Sequence, residues 1–182
     1  MPIGCSSLIP YVYDELVARS VRSVLDLGVG MGLHGAGVRQ WLDLGVRPWR
    51  TRLVGVEGFE AYRNPCWELY DELHVATIED WLAESCEVFD AVLLLDVLEH
   101  FDEPGGGRVI EAARRRLAPS GIILIGTPGI WYPQGAAHGN ALEVHKHLWS
   151  ARALEELGFA IRWDGRPNRS GHRMIFSVGG ER

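Results

Sequence analysis

Three glycines and two carboxylates occupy positions from which they could together hold a nucleoside-containing ligand. Asp26 lies in a short apolar run, and Gly28, Gly30 and Gly32 follow it at every second position. Because glycine lacks a side chain and tolerates left-handed backbone conformations, such a turn lets a ligand approach the main chain closely. Glu57 ends the next apolar run and supplies a carboxylate suited to ribose hydroxyls. The spacing therefore predicts a nucleoside site at the ends of two strands.

The glycine turn has two interpretations that its own residues do not separate. Gly30 to Gly35 satisfies G-x-G-x-x-G, the pattern in which a pyrophosphate lies on a helix N-terminus. In a chain with 22 glycines, that spacing alone is weak evidence for a dinucleotide. An S-adenosylmethionine site needs the same close approach, with the amino-acid tail over the glycines and an acid on both ribose hydroxyls. Glu57 fits either ligand, so other segments have to decide.

A long irregular segment follows the fifth predicted strand and carries groups suited to an acceptor substrate. We call residues 128–149 the acceptor lid, because the segment is too long for a simple connection and follows a strand end where α/β sheets bind ligands. His145 is the candidate general base, since histidine titrates near neutral pH. Trp131 and Tyr132 are interpreted either as an aromatic wall for a sugar, an aryl ring or a cationic amine, or as packing. His138 and His147 complete the candidate acceptor contacts.

The same histidines have a second possible role in metal binding. His145 and His147 form H-x-H, with Glu143 and His138 nearby, and on a strand this spacing would point two imidazoles to one face. Hydrogen bonding within the acceptor lid, or capping of the helix near Ser150, is the stronger interpretation. We therefore expect no metal.

Composition narrows the classes of partner. The 182 residues are 47% hydrophobic and 23% charged, which is typical of one globular domain spanning 1–182. The formal net charge of −6 argues against a nucleic-acid partner, whose phosphates require clustered cations. Three widely spaced cysteines indicate reduced thiols rather than a disulfide framework. Without a signal peptide or an apolar run long enough to span a membrane, the sequence predicts a cytoplasmic protein.

The elements that must position these residues alternate between strands and helices. The spacing of apolar residues and the position of turn residues predict an α/β protein, in which helices cover both faces of a parallel sheet. The final two strands are joined by a stretch without helical pattern, which favours a hairpin. Strands are predicted at 23–27, 53–56, 73–76, 89–95, 122–126, 159–163 and 174–178, and helices at about 8–20, 33–44, 59–70, 103–117 and 150–157. Pro65 is expected to break or start the helix at 59–70.

Several segments, in order, resemble the class I S-adenosylmethionine-dependent methyltransferases. Phe89 to His100 carries the most specific likeness, because it is similar to the family's fourth-strand motif. The other similar segments are Leu25 to Gly32 at the first motif, Val54 to Glu57 at the ribose strand, Leu117 to Gly121, Thr127-Pro128, and Leu157 to Phe159. The resemblance implies a three-layer Rossmann-like sandwich with a seven-stranded, mostly parallel sheet whose last strand is antiparallel.

The resemblance also implies roles for particular residues. Those expected to bind the cofactor are Asp26, Gly28, Gly30 and Gly32 at the methionine end, Glu57 at the ribose, and Thr77, Ile78 and Glu79 around the adenine. Many family members have an acid where Thr77 stands, so here a hydroxyl or Glu79 would have to substitute. Asp96 would lie between cofactor and acceptor and join His145 as a candidate catalytic residue.

The function that follows is methyl transfer from S-adenosylmethionine, leaving S-adenosylhomocysteine. The expected acceptor is an oxygen or nitrogen of a small molecule or glycan, and the expected assembly is a monomer or homodimer. Two alternatives stay open: a silent S-adenosylmethionine-binding partner or regulatory subunit, and an NAD-dependent oxidoreductase.

Overall fold

One seven-stranded sheet organises the protein, in the strand order β3-β2-β1-β4-β5-β7-β6. A computed structural model describes residues 5–165 and 173–180. The strands are β1 Ser23–Leu27, β2 Arg52–Glu57, β3 Glu72–Val75, β4 Phe89–Leu95, β5 Leu117–Pro128, β6 Phe159–Asp164 and β7 Met174–Gly179. The helices are α1 Ile9–Ala18, α2 Leu33–Trp41, α3 Ile78–Glu84, α4 Glu103–Arg114 and α5 Ala151–Glu156.

The strands β1 and β4 lie side by side at the centre of the sheet and are almost wholly buried. Their apolar residues face helices on both sides, as expected for parallel strands. Chain order reverses between these two strands, since β1 leads outward to β2 and β4 leads outward to β5. Such a switch point opens a crevice at the carboxyl ends of the strands. The glycine turn follows β1 and Asp96 follows β4, so both lie at this crevice.

Two apolar clusters cover the two faces of the sheet. One contains Leu25 and Leu27 with side chains from α3, α4 and α5, including Trp81 and Ile110. The other contains Val24 with side chains from α1 and α2. Alternate residues of one strand point to opposite faces, so the clusters lie on opposite sides. The three-layer architecture predicted from the sequence is confirmed.

The last strand is antiparallel, as predicted. β7 pairs antiparallel with both β5 and β6, and the remaining neighbours pair in parallel. The connection at residues 166–172 lies outside the described residues. The longest of the described helices, α4, has 12 residues, too few for a helix to cross a bilayer.

The continuous helix predicted at 59–70 is wrong, whereas the break expected at Pro65 is present. Two short 3₁₀ helices, Glu60–Tyr62 and Pro65–Leu69, stand there instead. The Asn64 side chain accepts a hydrogen bond from the Cys66 amide at 2.8 Å and so caps the second 3₁₀ helix, which begins at Pro65. Burial of the aromatic side chains in this segment against the core favours this irregular path over a continuous helix.

The helix α3 was not predicted, although its start carries a capping signal. Thr77 accepts a hydrogen bond from the Asp80 amide at 3.1 Å, and its hydroxyl donates to the Asp80 carboxylate at 2.6 Å. A threonine followed three residues later by an acid is a helix N-terminus pattern. The segment assigned only to adenine binding therefore also begins a helix.

Candidate functional site

A cavity of about 340 Å³ lies at the carboxyl ends of the central strands. It is bounded by the glycine turn, by the ends of β2 and β4, by the start of α3 and by part of the acceptor lid. The sequence-predicted residues on its wall are Gly28, Gly30, Glu57, Thr77, Ile78, Glu79 and Asp96. The cavity thus brings together residues from four separate strand ends.

The backbone of the glycine turn has left-handed torsions that suit glycine. Gly28 has φ of 85°, and a Cβ placed there would lie 2.5 Å from a Val97 methyl group. The Gly28 and Val29 amides donate to the Val56 carbonyl at 2.8 and 3.2 Å. Trp67 donates its indole N–H to the Gly30 carbonyl at 2.8 Å. These contacts fix the turn against neighbouring strands and leave its surface without side chains.

Glu57 ties the glycine turn to the loop after β2. One carboxylate oxygen accepts from the Gly30 amide at 2.7 Å and the other from the Phe59 amide at 2.8 Å. Burial raises the pKa of Glu57, and the amide hydrogen bonds oppose that rise. A carboxylate can accept about four hydrogen bonds, so each oxygen retains capacity for a ligand hydroxyl.

Asp26 and Gly32 are not among the described residues that line the cavity. The Asp26 carboxylate accepts from the Tyr70 hydroxyl at 2.6 Å and is 2% exposed. Burial raises the pKa of Asp26 to about 7, against the Tyr70 hydrogen bond, and the charge of Glu57 raises it further. Gly32 precedes α2 with φ of 81° and packs against Cys66. Both residues support the turn from inside the protein.

Asp96 lies on the cavity wall in an uncommon backbone conformation. Its φ is 57°, and its carboxylate accepts from the Cys5 amide at 2.7 Å. Burial raises the pKa of Asp96 to about 6, the Cys5 hydrogen bond opposes this, and the charge of Glu143 adds to it. Aspartate is one of the non-glycine residues that adopt this conformation most often, and residues held in it are enriched at functional sites.

Glu99 lies behind Asp96, buried to 3% exposure. The Thr127 hydroxyl donates to its carboxylate at 3.1 Å. Burial, followed by the charge of Asp96, holds the pKa of Glu99 well above its usual range. Burial therefore favours the protonated form of Glu99, whereas Asp96, with a pKa of about 6, is ionised at neutral pH. In the described chain, neither acid caps the short helix Leu98–His100.

His145 is not among the described residues on the cavity wall, whereas His100 is. The rings of the two histidines lie 5.1 Å apart, and His145 Nδ1 is 2.6 Å from the Tyr132 carbonyl, to which it donates. Burial lowers the pKa of His100 to about 4, so this imidazole is neutral. Within the described residues, His100 Nδ1 has no hydrogen-bond partner.

A cluster of potential metal ligands differs from the H-x-H pair seen in the sequence. Glu99, His100 and His145 offer ligand atoms that all lie within 4.8 Å of one another. The His147 ring instead packs edge-on against Trp149 at 4.9 Å. The helix α5 is capped by Ser150 rather than by His145.

The acceptor lid supplies four residues to the cavity wall: Asn140, Leu142, Glu143 and Lys146. Trp131 and Tyr132 are 51% and 41% exposed, and His138 occupies a turn at φ of 52°. In the part of the chain described, none of these three lines the cavity. Sequence reasoning missed His34, His100 and the lid residues of the wall. A signal for His100 was available, because it ends the fourth-strand motif.

The fold and the cavity define a Rossmann-like α/β domain with a nucleoside-type crevice. A family model described as a methyltransferase domain matches residues 5–165. The chain belongs to this family, the S-adenosylmethionine-dependent methyltransferases.

Curated relatives match part of the chain. A ubiquinone biosynthesis O-methyltransferase from Xanthomonas oryzae pv. oryzae is 29% identical over 121 residues, covering 64% of this chain and 47% of that protein. A protein of the same name from Pseudomonas savastanoi pv. phaseolicola is 31% identical over 121 residues, covering 63% and 47% respectively. The chain therefore spans about half the length of the curated relatives it matches.

Solved structures share the fold at low sequence identity. A Burkholderia thailandensis 1,6-didemethyltoxoflavin-N1-methyltransferase, crystallised with 1,6-didemethyltoxoflavin and S-adenosylhomocysteine, matches with a TM-score of 0.68 at 18% identity. That match covers 94% of this chain and 75% of the other. TehB from Haemophilus influenzae matches with a TM-score of 0.68 at 13% identity, covering 98% and 64% respectively.

Proposed function

We propose that this protein transfers a methyl group from S-adenosylmethionine to an oxygen or nitrogen of a small-molecule or glycan-type acceptor. The observation that carries the proposal is a single cavity shared by two sets of residues. The glycine turn and Glu57 form its cofactor end, and Asp96 joins them to the acceptor lid. One cavity that places donor and acceptor next to each other is what in-line group transfer requires.

The charges on the cavity wall fit S-adenosylmethionine better than a dinucleotide. Glu57, Glu79, Asp80, Asp96 and Glu143 line the cavity, and Lys146 is the one lysine or arginine among its described lining residues. Such a wall attracts a sulfonium and an ammonium group and repels a pyrophosphate. S-adenosylmethionine, when bound, supplies an electrophilic methyl group on its sulfonium. Glu57 would hold the ribose hydroxyls, and the bare glycine turn would accommodate the amino-acid tail.

Asp96 is the proposed proton acceptor. Its carboxylate is ionised near neutral pH because its pKa is about 6, while Glu99 behind it keeps a proton. A carboxylate with this pKa can remove a proton from an acceptor hydroxyl or ammonium group at working pH. His145 contacts the ring of His100, so its proposed part is to position that wall rather than to touch the acceptor itself.

The acceptor class is supported by the size and composition of the cavity. A cavity of about 340 Å³ is of the size found at small-molecule sites. The curated relatives are named as O-methyltransferases and a solved neighbour as an N-methyltransferase, so the proposal includes both oxygen and nitrogen as the acceptor atom. Trp131 and Tyr132, exposed on the acceptor lid, would meet a ring-shaped acceptor as it enters.

Calorimetry followed by an acceptor screen tests the proposal. We expect S-adenosylmethionine and S-adenosylhomocysteine to bind and NAD(H) not to bind. Purified protein supplied with acceptor pools should then release S-adenosylhomocysteine. Binding of NAD(H) alone would overturn the cofactor assignment. Binding of S-adenosylhomocysteine without product formation from any pool would favour a silent binding module.

A further inference from the structure

The acceptor lid reaches across the cavity to the loop that follows Glu57. The lid residue Leu142 packs on Gly58, where an added Cβ would come within 2.5 Å of its side chain. The neighbouring Glu143 carboxylate accepts from the Tyr62 hydroxyl at 3.0 Å. Tyr62 is 3% exposed and Glu143 9% exposed, so this bond is shielded from solvent. The lid therefore contacts the cofactor end of the cavity as well as the acceptor end.

The Glu143 carboxylate is held from both sides. Gln134 donates its amide N–H to the second carboxylate oxygen at 3.1 Å and to the Glu143 carbonyl at 2.8 Å. Tyr62 packs edge-on against Phe59 at 4.9 Å, and the Phe59 amide donates to Glu57. A continuous set of contacts thus runs from the acid at the ribose end to an acid carried by the lid.

Two carboxylates on one cavity wall repel each other unless a ligand lies between them. Glu57 and Glu143 both line the cavity, and the charge of Glu143 contributes to the raised pKa of Glu57. A ligand with hydroxyl donors and positive charge relieves this repulsion. We propose that Glu143 is a second carboxylate of the cofactor site, carried there by the acceptor lid, and that its bond with Tyr62 is the latch that retains the cofactor. This inference rests on the proposed function.

The latch has a kinetic consequence. The cofactor leaves freely only when the bond between Tyr62 and Glu143 is broken and the lid residues 140–143 move away from Gly58. Bound cofactor, in turn, holds the lid closed through Glu143. Lid closure and cofactor binding are therefore coupled, and each should strengthen the other.

Dissociation of S-adenosylhomocysteine from the full chain tests the latch. Tyr62→Phe removes one hydroxyl and keeps the ring against Phe59, and Glu143→Gln removes the charge. We expect each variant to release S-adenosylhomocysteine about tenfold faster, the effect of losing one hydrogen bond to a charged group. Tyr11→Phe and Glu155→Gln are matched controls, because Tyr11 stacks on Trp163 and Glu155 is exposed on α5. Both controls should release the ligand at the wild-type rate.

Hydrogen exchange supplies a readout independent of affinity. Amides at 134–147 should exchange more slowly when S-adenosylhomocysteine binds, and faster in ligand-free Tyr62→Phe than in Tyr11→Phe. Release and exchange rates in Tyr62→Phe and Glu143→Gln that stay within about twofold of the controls would overturn the latch alone. Failure of the wild-type protein to bind S-adenosylhomocysteine would instead overturn the proposed function, and the latch with it.

Discussion

The two walls of the cavity are built in different ways. The cofactor wall consists of strand ends and a backbone turn, and its key bonds run between main-chain amides and carboxylates such as Glu57. The acceptor lid has no long element of its own. Side chains such as Gln134 and Tyr62 hold it in place, together with the Lys146 amide, which donates to the Glu99 carbonyl at 2.7 Å. The wall built from strand ends depends on few side chains, of which Glu57 is one. A wall held by side chains can change its specificity, and it can also move.

The largest expected effect concerns Asp96, where the two walls meet. Asp96→Asn should lower turnover about a thousandfold, as expected for loss of a proton acceptor. Asparagine tolerates the positive φ at this position, so the fold should persist. Wild-type turnover should also fall as pH drops through about 6, where Asp96 takes up its proton. Initial rates with an acceptor found in the screen provide the measurement.

Two results would contradict this role of Asp96. One is turnover in Asp96→Asn within tenfold of the wild type. The other is a wild-type pH profile that stays flat between 5 and 7. Calorimetry with S-adenosylhomocysteine should show nearly unchanged affinity in this variant, which separates chemistry from binding.

Glu57→Ala tests the cofactor wall. Loss of this carboxylate removes two possible ribose contacts and releases the Gly30 amide, so affinity for S-adenosylhomocysteine should fall about a hundredfold. Glu60→Ala is the matched control, because Glu60 is an exposed acid in the same loop. Calorimetric affinities of the two variants decide the matter. Equal affinities would remove Glu57 from the site.

The pH dependence of stability tests whether the buried carboxylate of Asp26 destabilises the folded protein when it is ionised. Its pKa is about 7 in the folded protein, against 3.8 for an exposed group, so the folded state binds the proton more tightly. The contribution of Asp26 to the free energy of unfolding should therefore be fully present below pH 4 and be lost as pH rises to 7, an effect on the order of 4 kcal/mol. Asp26→Asn should flatten that dependence in urea unfolding at pH 4, 5.5 and 7. An unchanged slope in the variant would contradict it.

The smallest expected effect is at His145, on the lid side. His145→Ala removes a ring that contacts His100 and donates to the Tyr132 carbonyl, so transfer should slow about tenfold with cofactor binding preserved. Steady-state kinetics and calorimetry on the same preparation provide the comparison. Unchanged turnover would contradict the positioning role of His145, whereas a loss of cofactor affinity would give it a structural role.

The elements of the fold that could be predicted from the sequence are those determined by the local spacing of apolar residues. β1 at Ser23–Leu27 and β4 at Phe89–Leu95 have the predicted bounds, because a buried parallel strand reads as one apolar run. The segment at 59–70 did not follow, since its aromatic residues are placed by contacts with α2 and the glycine turn rather than by their neighbours in sequence. Local spacing carries no information about such contacts.

The candidate site divides in the same way. Glycines and acids at strand ends can be recognised because topology brings strand ends together. Glu143 and Lys146 could not be assigned to the cavity from sequence, because their position depends on how the acceptor lid folds back over Gly58 and Glu99. His145 illustrates the limit, since its neighbour in space, His100, is among the described lining residues of the cavity and His145 is not.

The hydrogen bond from the Trp67 indole to the Gly30 carbonyl makes the glycine turn optically visible. Indole emission depends on the polarity and hydrogen bonding around its ring, and this ring is joined to the backbone that would meet the cofactor. Cofactor titration should therefore change the tryptophan emission spectrum without any added dye. With 7 tryptophans in the chain, a Trp67→Phe variant isolates that signal from the others. The intrinsic fluorescence of Trp67 thus reports on cofactor binding at the glycine turn.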